Sequence, residues 1–368
     1  MDAAIPTDMD HTGEVSGTAG DGGTVVAETT PAAAAANLLT TTTTSPFRFP
    51  RAANYDVLDS SFFTRQSPPN SQALPSPDLV RCVSLSMQAR IRPRLGSFLR
   101  PPVVFFRHRG LVVKYGHQVS VAEAHCLLFL RRFCPDVPVP EVYGWRQDGR
   151  QTFLYLELVE GYTAAQLWPF LPANDCAALG ADVRALVETW RRLPQTLVAN
   201  LPFIGHANGQ SLLDWLFINS ANPVAGPFPD VARFHDWLVA CSDSQANANE
   251  LPLAPPAPPR PETSSAAQID RSLLPDDAPI VFTHGNLSLS NIIVDPERGL
   301  DGRLRIAAIV DWQQAGWYPD YWEVCKLNWH QIVPQWGSGE WADRYLQLKR
   351  TREECWEGWE RIMLRRRM

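Results

Sequence analysis

The stretch VFTHGNLSLSNIIVD, from Val281 to Asp295, sets His284 and Asn291 in the spacing H-x-N-x-x-x-x-N, between two apolar runs. Asp311 closes a further apolar run, IAAIVD. An amide carbonyl and a carboxylate are hard oxygen ligands. Two of them at the ends of neighbouring strands suit magnesium, which keeps several waters and completes its shell from nucleotide phosphates. Upstream, Lys114 ends the apolar run LVVK, and Glu123 lies in VSVAEAHCLLFLRRF at a distance that lets it face that lysine. Phosphoryl transfer asks for such parts: phosphates clamped, magnesium held, and an acceptor hydroxyl oriented in line.

Each residue alone has a plainer reading. A lysine that ends a strand is most often a surface residue, a helix glutamate is usually solvated, and Asn291 and Asp311 also suit a turn and a loop cap. The pointer is their joint order: strand lysine, helix glutamate, loop His and Asn, strand-end Asp. Asn286 stands where this chemistry places a proton-accepting carboxylate. Its amide can hydrogen-bond a hydroxyl but cannot take its proton, and Ser288 and Ser290 are no better. The tryptophans Trp312, Trp317, Trp322 and Trp329 read as core packing, with an aromatic box for a quaternary ammonium as the alternative.

These residues need elements to hold them. VVFFRHRGLVVKYG reads as two strands around a turn at His108 to Gly110, since β-branched and aromatic residues flank a glycine. The segment from Val119 has apolar positions at helical spacing, and two strands follow, to Trp145 and through Leu158, around a turn at Asp148-Gly149. After Gly161 the pattern turns helical in DCAALGADVRALVETWRRL, SLLDWLF and VARFHDWLVAC. A helix is also expected near Val80 to Ile91. No G-x-G-x-x-G precedes Lys114; RLGSF offers only Gly96.

Composition bounds the rest. The 368 residues, 45% hydrophobic, suffice for two lobes with real cores, and a formal charge of -6 argues against a nucleic-acid or membrane-surface binder. The seven cysteines are scattered without a C-x-x-C pair, which suits reduced thiols in the cytoplasm. No apolar run reaches the roughly 18 residues of a membrane span. Residues 1–53, rich in Thr, Ala and Gly, read as a disordered arm, and the Pro- and Ala-rich segment at about 242–279 as a flexible insertion.

From about Leu111 to Glu323 the chain resembles the aminoglycoside phosphotransferase family. Fungal members are similar in particular to VFTHGNLSLSNIIVD and IVDWQQAGWYPDYWE. The resemblance implies an α+β, protein-kinase-like fold, with a β-rich N-lobe over 54–160 and a helical C-lobe over 161–368. It implies Lys114 on the phosphates, Glu123 as its partner, the backbone of Glu157 to Val159 facing adenine, and Asn291 and Asp311 on magnesium. ATP and Mg²⁺ are then the expected cofactors and a small-molecule hydroxyl the acceptor. Asn286 occupies the family's catalytic Asp position beside His284. Two expectations follow: a phosphotransferase weakened by Asn286, or an inactive pseudokinase that binds nucleotide or a protein partner.

Overall fold

The computed structural model describes residues 46–69, 72–88, 103–218, 224–243, 265–295, 297, 299, 302–332, 341–348 and 353–365. Its first layer is a five-stranded antiparallel sheet built from β1 (Tyr55–Asp56), β2 (Val103–Phe106), β3 (Leu111–Gly116), β4 (Val142–Asp148) and β5 (Gln151–Glu157), in the order β1-β4-β5-β3-β2. The expected turn after β2 is a single 3₁₀ turn, Arg107–Arg109. It closes on Gly110 at φ +59°, a left-handed conformation that favours glycine.

Strand alternation places Lys114. Leu111, Val113 and Tyr115 point to one face of β3, where they pack with Phe62, Phe63, Val80, Phe153 and Tyr155. Lys114 therefore projects from the opposite face, towards the helix Val121–Phe133. That helix starts at Ser120, whose hydroxyl accepts the Ala122 N–H at 3.1 Å. A helix at Pro77–Gln88 meets the expectation near Val80; the end at Ile91 and the Gly96 stretch lie outside the described residues.

The second lobe holds two three-stranded sheets. One runs β10-β9-β6, made of β6 (Tyr162–Thr163), β9 (Ile292–Val294) and β10 (Ile306–Ile309). The other runs β7-β11-β8, made of β7 (Gly205–His206), β8 (Ile280–Thr283) and β11 (Gly316–Pro319). β8 leads into the His284 loop, β9 leaves it, and β10 leads to Asp311. The helix Ala173–Arg191 packs on β8, and Glu353–Arg365 packs on the helices Val231–Asp243 and Trp322–Ile332. Among the described residues no helix is long and apolar enough to cross a membrane.

Three segments differ from the sequence reading. SLLDWLF is helical only at Trp215–Ile218, because the Asp214 carboxylate caps the turn from the Leu216 N–H at 3.0 Å and is itself buried on Lys326. Part of the expected insertion is ordered. Residues 244–264 lie outside the described set, but Ser265–Ser272 forms a helix that packs on Glu353–Arg365 and Val231–Asp243, with Asp270, Leu274 and Ala278 buried. Of the expected arm, residues 1–45 lie outside the described set. Residues 46–53 pack on the fold through Phe47 and Phe49, and hydrogen bonds at Phe47, Pro50 and Ala52 add to that burial.

Close approach of the π-helical turn Trp341–Leu346 fixes the helix Ala173–Arg191, whose Trp190 lies beside His284. A Cβ at Gly180 would lie 2.4 Å from the Tyr345 carbonyl oxygen, and Arg184 Nε donates to the Leu346 carbonyl at 2.9 Å. Gly180→Ala tests this contact with opposing signs. Helix propensity alone favours alanine by about 1 kcal/mol, whereas forced overpacking costs about 1–3 kcal/mol. We expect net destabilisation in a urea titration; a more stable variant would refute the close contact.

Candidate active site

Lys114 is the centre of the cleft. Its Nζ lies 2.7 Å from Glu123 Oε1 and 2.8 Å from Asp311 Oδ1, joining β3, the helix Val121–Phe133 and the end of β10. Burial by itself would lower the lysine's pKa, but the Asp311 and Glu123 carboxylates outweigh it and hold the ammonium above its ordinary value. Burial pushes the Glu123 carboxyl up, opposed by the Lys114 charge. The Glu123 side chain is only 2% exposed, so this is an internal ion pair and not a solvated helix glutamate.

The loop after β8 is held by its backbone. Glu323 Oε2 accepts the His284 N–H at 2.7 Å, and both Glu323 oxygens accept the Gly285 N–H at 3.2 Å. Burial pushes the Glu323 carboxyl up, and these two amides oppose it. Gly285 sits at φ +75° with its α-carbon face against Gln314: an added Cβ would meet the Gln314 carbonyl oxygen at 2.9 Å. A side chain there would be both strained and crowded.

His284 is buried and fully engaged. Its Nε2 lies 3.1 Å from the Val310 carbonyl, which can only accept, so Nε2 carries the proton and Nδ1 accepts the Asn286 N–H at 3.1 Å. Burial pushes its pKa down to about 4. The ring packs edge-on to Trp312 at 4.4 Å. A neutral ring with both nitrogens occupied organises the loop and has no lone pair left for a substrate proton.

Asn286 and Asn291 complete the arrangement. Asn286 Nδ2 donates to Asp311 Oδ2 at 2.9 Å, and Asn291 Nδ2 donates to the Asn286 carbonyl at 2.7 Å. That second bond fixes the orientation of the Asn291 amide, whose Oδ1 has the chemistry of a hard oxygen ligand. The Val310 N–H to Asn291 carbonyl bond, 2.9 Å, ties the loop to the segment that leads from β10 to Asp311. Asp311 adopts φ +69°, ψ +53°, a left-handed conformation that Asp tolerates better than most residues and that aims its carboxylate back at Lys114. Among the described residues no group of three or more His, Cys, Asp or Glu could hold a metal. Asn291 and Asp311 nevertheless fit magnesium, which needs only one or two protein ligands beside phosphates and water.

At the far end of the cleft, Glu157 lies in an incomplete strand pair. Its N–H donates to the Glu141 carbonyl at 2.8 Å, while the Glu141 N–H goes to the Glu157 carboxylate Oε2 at 3.1 Å. The side chain thereby takes the amide that a regular antiparallel pair would give to the Glu157 carbonyl. Leu158 N–H donates to Gly110 on the other side, so Glu157 and Val159 present their backbone away from β3.

Residues 104–364 match the phosphotransferase enzyme family (APH). The chain belongs to this family. Comparison with curated proteins gives no match. Among solved structures the chain is similar to an apo thermostable mutant of the aminoglycoside phosphotransferase APH(4)-Ia, with TM-score 0.46, 15% identity, and 72% of this chain and 79% of that chain covered. It is similar also to aminoglycoside-3'-phosphotransferase of type VIII, with TM-score 0.44, 15% identity, and coverage of 78% and 98%. A third is APH(3'')-Id from Streptomyces rimosus, with TM-score 0.39, 21% identity, and coverage of 71% and 88%. The α+β, kinase-like fold of the phosphotransferase enzyme family is thus the fold of this chain.

Sequence reasoning missed the residues beneath the loop. Glu323 is the anchor of its backbone. Behind it, Lys326 Nζ bonds Asp214 Oδ1 at 2.6 Å and Gln314 Oε1 at 3.1 Å, fully buried, with Trp322 Nε1 on the other Asp214 oxygen at 3.1 Å. The available signal was one of type: a Glu and a Lys among the tryptophans of a core helix need partners. Trp312, Trp317, Trp322 and Trp329 are all buried, as core packing requires.

The neutrality of His284 has a direct signature. Its pKa is lower in the folded chain, about 4, than the ordinary 6.5, so the unfolded chain binds more protons between those values. Its contribution to stability is complete above pH 6.5 and is lost as pH falls towards 4, on the order of 3 kcal/mol in all. The His284 ring resonances should therefore stay unchanged in NMR spectra from pH 7.5 to 5; titration near 6.5 would contradict a buried, neutral ring.

Proposed function

We propose that the protein is an ATP- and magnesium-dependent phosphotransferase that acts on a small-molecule hydroxyl, with turnover lowered by Asn286. The observation that supports this best is the convergence on Lys114: one ammonium held between Glu123 and Asp311, with Asn286 and Asn291 bonded into the same cluster. In this reading Lys114 clamps the phosphates and Glu123 keeps it in place. The Glu157 carbonyl and the Val159 N–H take the adenine edge, and Asn291 and Asp311 hold the metal. Magnesium, when bound, neutralises phosphate charge.

Asn286 orients the acceptor through its carbonyl oxygen. Its Nδ2 donates one hydrogen to Asp311 and has no basic lone pair, and with His284 closed there is no side-chain base beside it. The hydroxyl proton must leave to water or to the transferring phosphoryl group, which a loose transition state tolerates at a lower rate. None of the seven cysteines is in a disulfide, which agrees with a reducing compartment such as the cytoplasm. The acidic balance of the chain supports a small acceptor over nucleic acid or a membrane surface. The committed Asn286 amide and the closed His284 favour a second reading, a pseudokinase that keeps nucleotide as a ligand and acts through a protein partner.

Calorimetric titration with ATP, with and without magnesium, tests the site. Magnesium should tighten binding, and Asp311→Asn should remove that gain; binding indifferent to both would sink the assignment of Asp311. Asn286→Asp then separates the readings. Restoring a base should raise turnover about 10²- to 10⁴-fold, whereas two forms that bind nucleotide and transfer nothing to the usual acceptors of such enzymes would favour the pseudokinase.

A further inference from the structure

Residues 46–53 cross the back of the helix that carries Glu123. Phe47 packs on Phe129 and Phe133, with ring centroids 6.1 and 5.5 Å apart, and Phe49 on His125 and Phe129 at 5.2 and 6.4 Å. His125, Phe129 and Phe133 form an i, i+4, i+8 stripe of the helix Val121–Phe133. Glu123 lies two residues from His125, which on a helix is about 200° of rotation, so it faces the opposite way, into the cleft. One side of the helix thus holds Lys114 and the other holds this segment.

The segment is itself fixed at both ends. Phe47 N–H donates to the Leu197 carbonyl of the second lobe at 2.7 Å, and the Ala52 carbonyl accepts Trp145 Nε1–H of β4 at 2.9 Å. Between them the Pro50 carbonyl, which can only accept, lies 2.8 Å from His125 Nε2, so that nitrogen carries the proton. His125 Nδ1 is left to accept Asn208 Nδ2–H at 3.0 Å, and Asn208 Oδ1 meets His206 Nδ1 at 3.1 Å. His206 pairs with Gly316 in β11, the strand after Asp311. A cavity of about 1150 Å³, lined among others by Arg48, Pro50, Ser120, Gln147 and Gln210, borders the segment.

We propose that residues 46–53 are a positioning strap for the phosphate-binding lysine. Phe47, Phe49 and the Pro50 carbonyl set where the helix Val121–Phe133 lies, and thereby hold Glu123 on Lys114. The Lys–Glu pair of a kinase-like site must be in place for transfer, and helix position is what controls it. The consequence for nucleotide rests on the role given to Lys114 above; the consequence for the ion pair does not.

The test uses the full chain with Phe47→Ala and Phe49→Ala together. Without nucleotide, the acylation rate of Lys114 by an amine-reactive reagent, read by mass spectrometry, and amide exchange in the helix Val121–Phe133 should both rise, while exchange in the remote helix Val231–Asp243 stays as it was. Affinity for ADP with magnesium should fall about tenfold. In a Glu123→Gln background the same strap substitutions should change affinity less than about twofold, since the strap acts through that residue. Unchanged Lys114 reactivity and helix exchange, or an equal affinity loss in the Glu123→Gln background, would overturn the proposal. A wild-type chain that fails to bind the nucleotide would overturn the reading of Lys114 instead, and the reactivity measurement would still decide the strap. Phe49→Leu, which keeps apolar volume but loses the ring contact with His125, gives a smaller shift in the same direction and serves where the double variant does not fold.

Discussion

The Lys114 ammonium lies between two carboxylates supplied by opposite lobes, and most of the molecule's local geometry can be traced to that placement. Glu123 is too buried to stay charged without a partner, and removing one member of a buried pair typically costs about 3–5 kcal/mol. β3 must therefore keep the register that turns Lys114 away from Val113 and Tyr115, and the helix must keep Glu123 on its cleft face. Asp311 reaches the same nitrogen only because its backbone turns left-handed at the end of β10. One cation facing two carboxylates leaves the cluster with an excess of negative charge, which is the electrostatic condition under which a divalent cation is welcome.

The loop that carries Asn286 depends on a different principle. It is shaped by backbone hydrogen bonds, and the groups that satisfy them come from side chains far along the sequence. Glu323 takes the amides of His284 and Gly285, and His284 takes the amide of Asn286 while giving its own proton to Val310. Each of these groups is buried, so each bond left unmade would cost about 1–3 kcal/mol. A loop fixed this way has one conformation, and Asn286 is pointed at Asp311 before any ligand arrives.

How far the sequence could be read followed the range of the interactions. β3 to β5 and the helix after β3 were legible because alternation and helical spacing are local, and so was the loop, whose His and Asn positions sit within one short stretch. The placement of Lys114 followed from the same alternation. Glu323 was not legible as an anchor, because its place among the tryptophans of a core helix says that it needs a partner but not which, and its partners are about 40 residues upstream. Asp214 sits in an apolar stretch that reads as helix, and only the distant Lys326 explains why it caps a short turn instead. Phe47 and Phe49 lie in a stretch whose composition reads as a disordered arm, yet their rings on Phe129 and the hydrogen bonds at Phe47, Pro50 and Ala52 tie it to the fold.

Asn286 also changes what its neighbour experiences. Its Nδ2 lies 2.9 Å from Asp311 Oδ2. A carboxylate at that position would set two like charges at hydrogen-bond distance, and one of them would have to bind a proton or a cation for the cluster to hold. The amide removes that requirement, since it offers Asp311 a donor. The cleft can then close on Lys114, Glu123, Asp311 and Asn286 with hydrogen bonds alone. Compared with an aspartate at position 286, the amide offers no proton acceptor but gives Asp311 a hydrogen-bond donor, and both differences arise at the single nitrogen Nδ2.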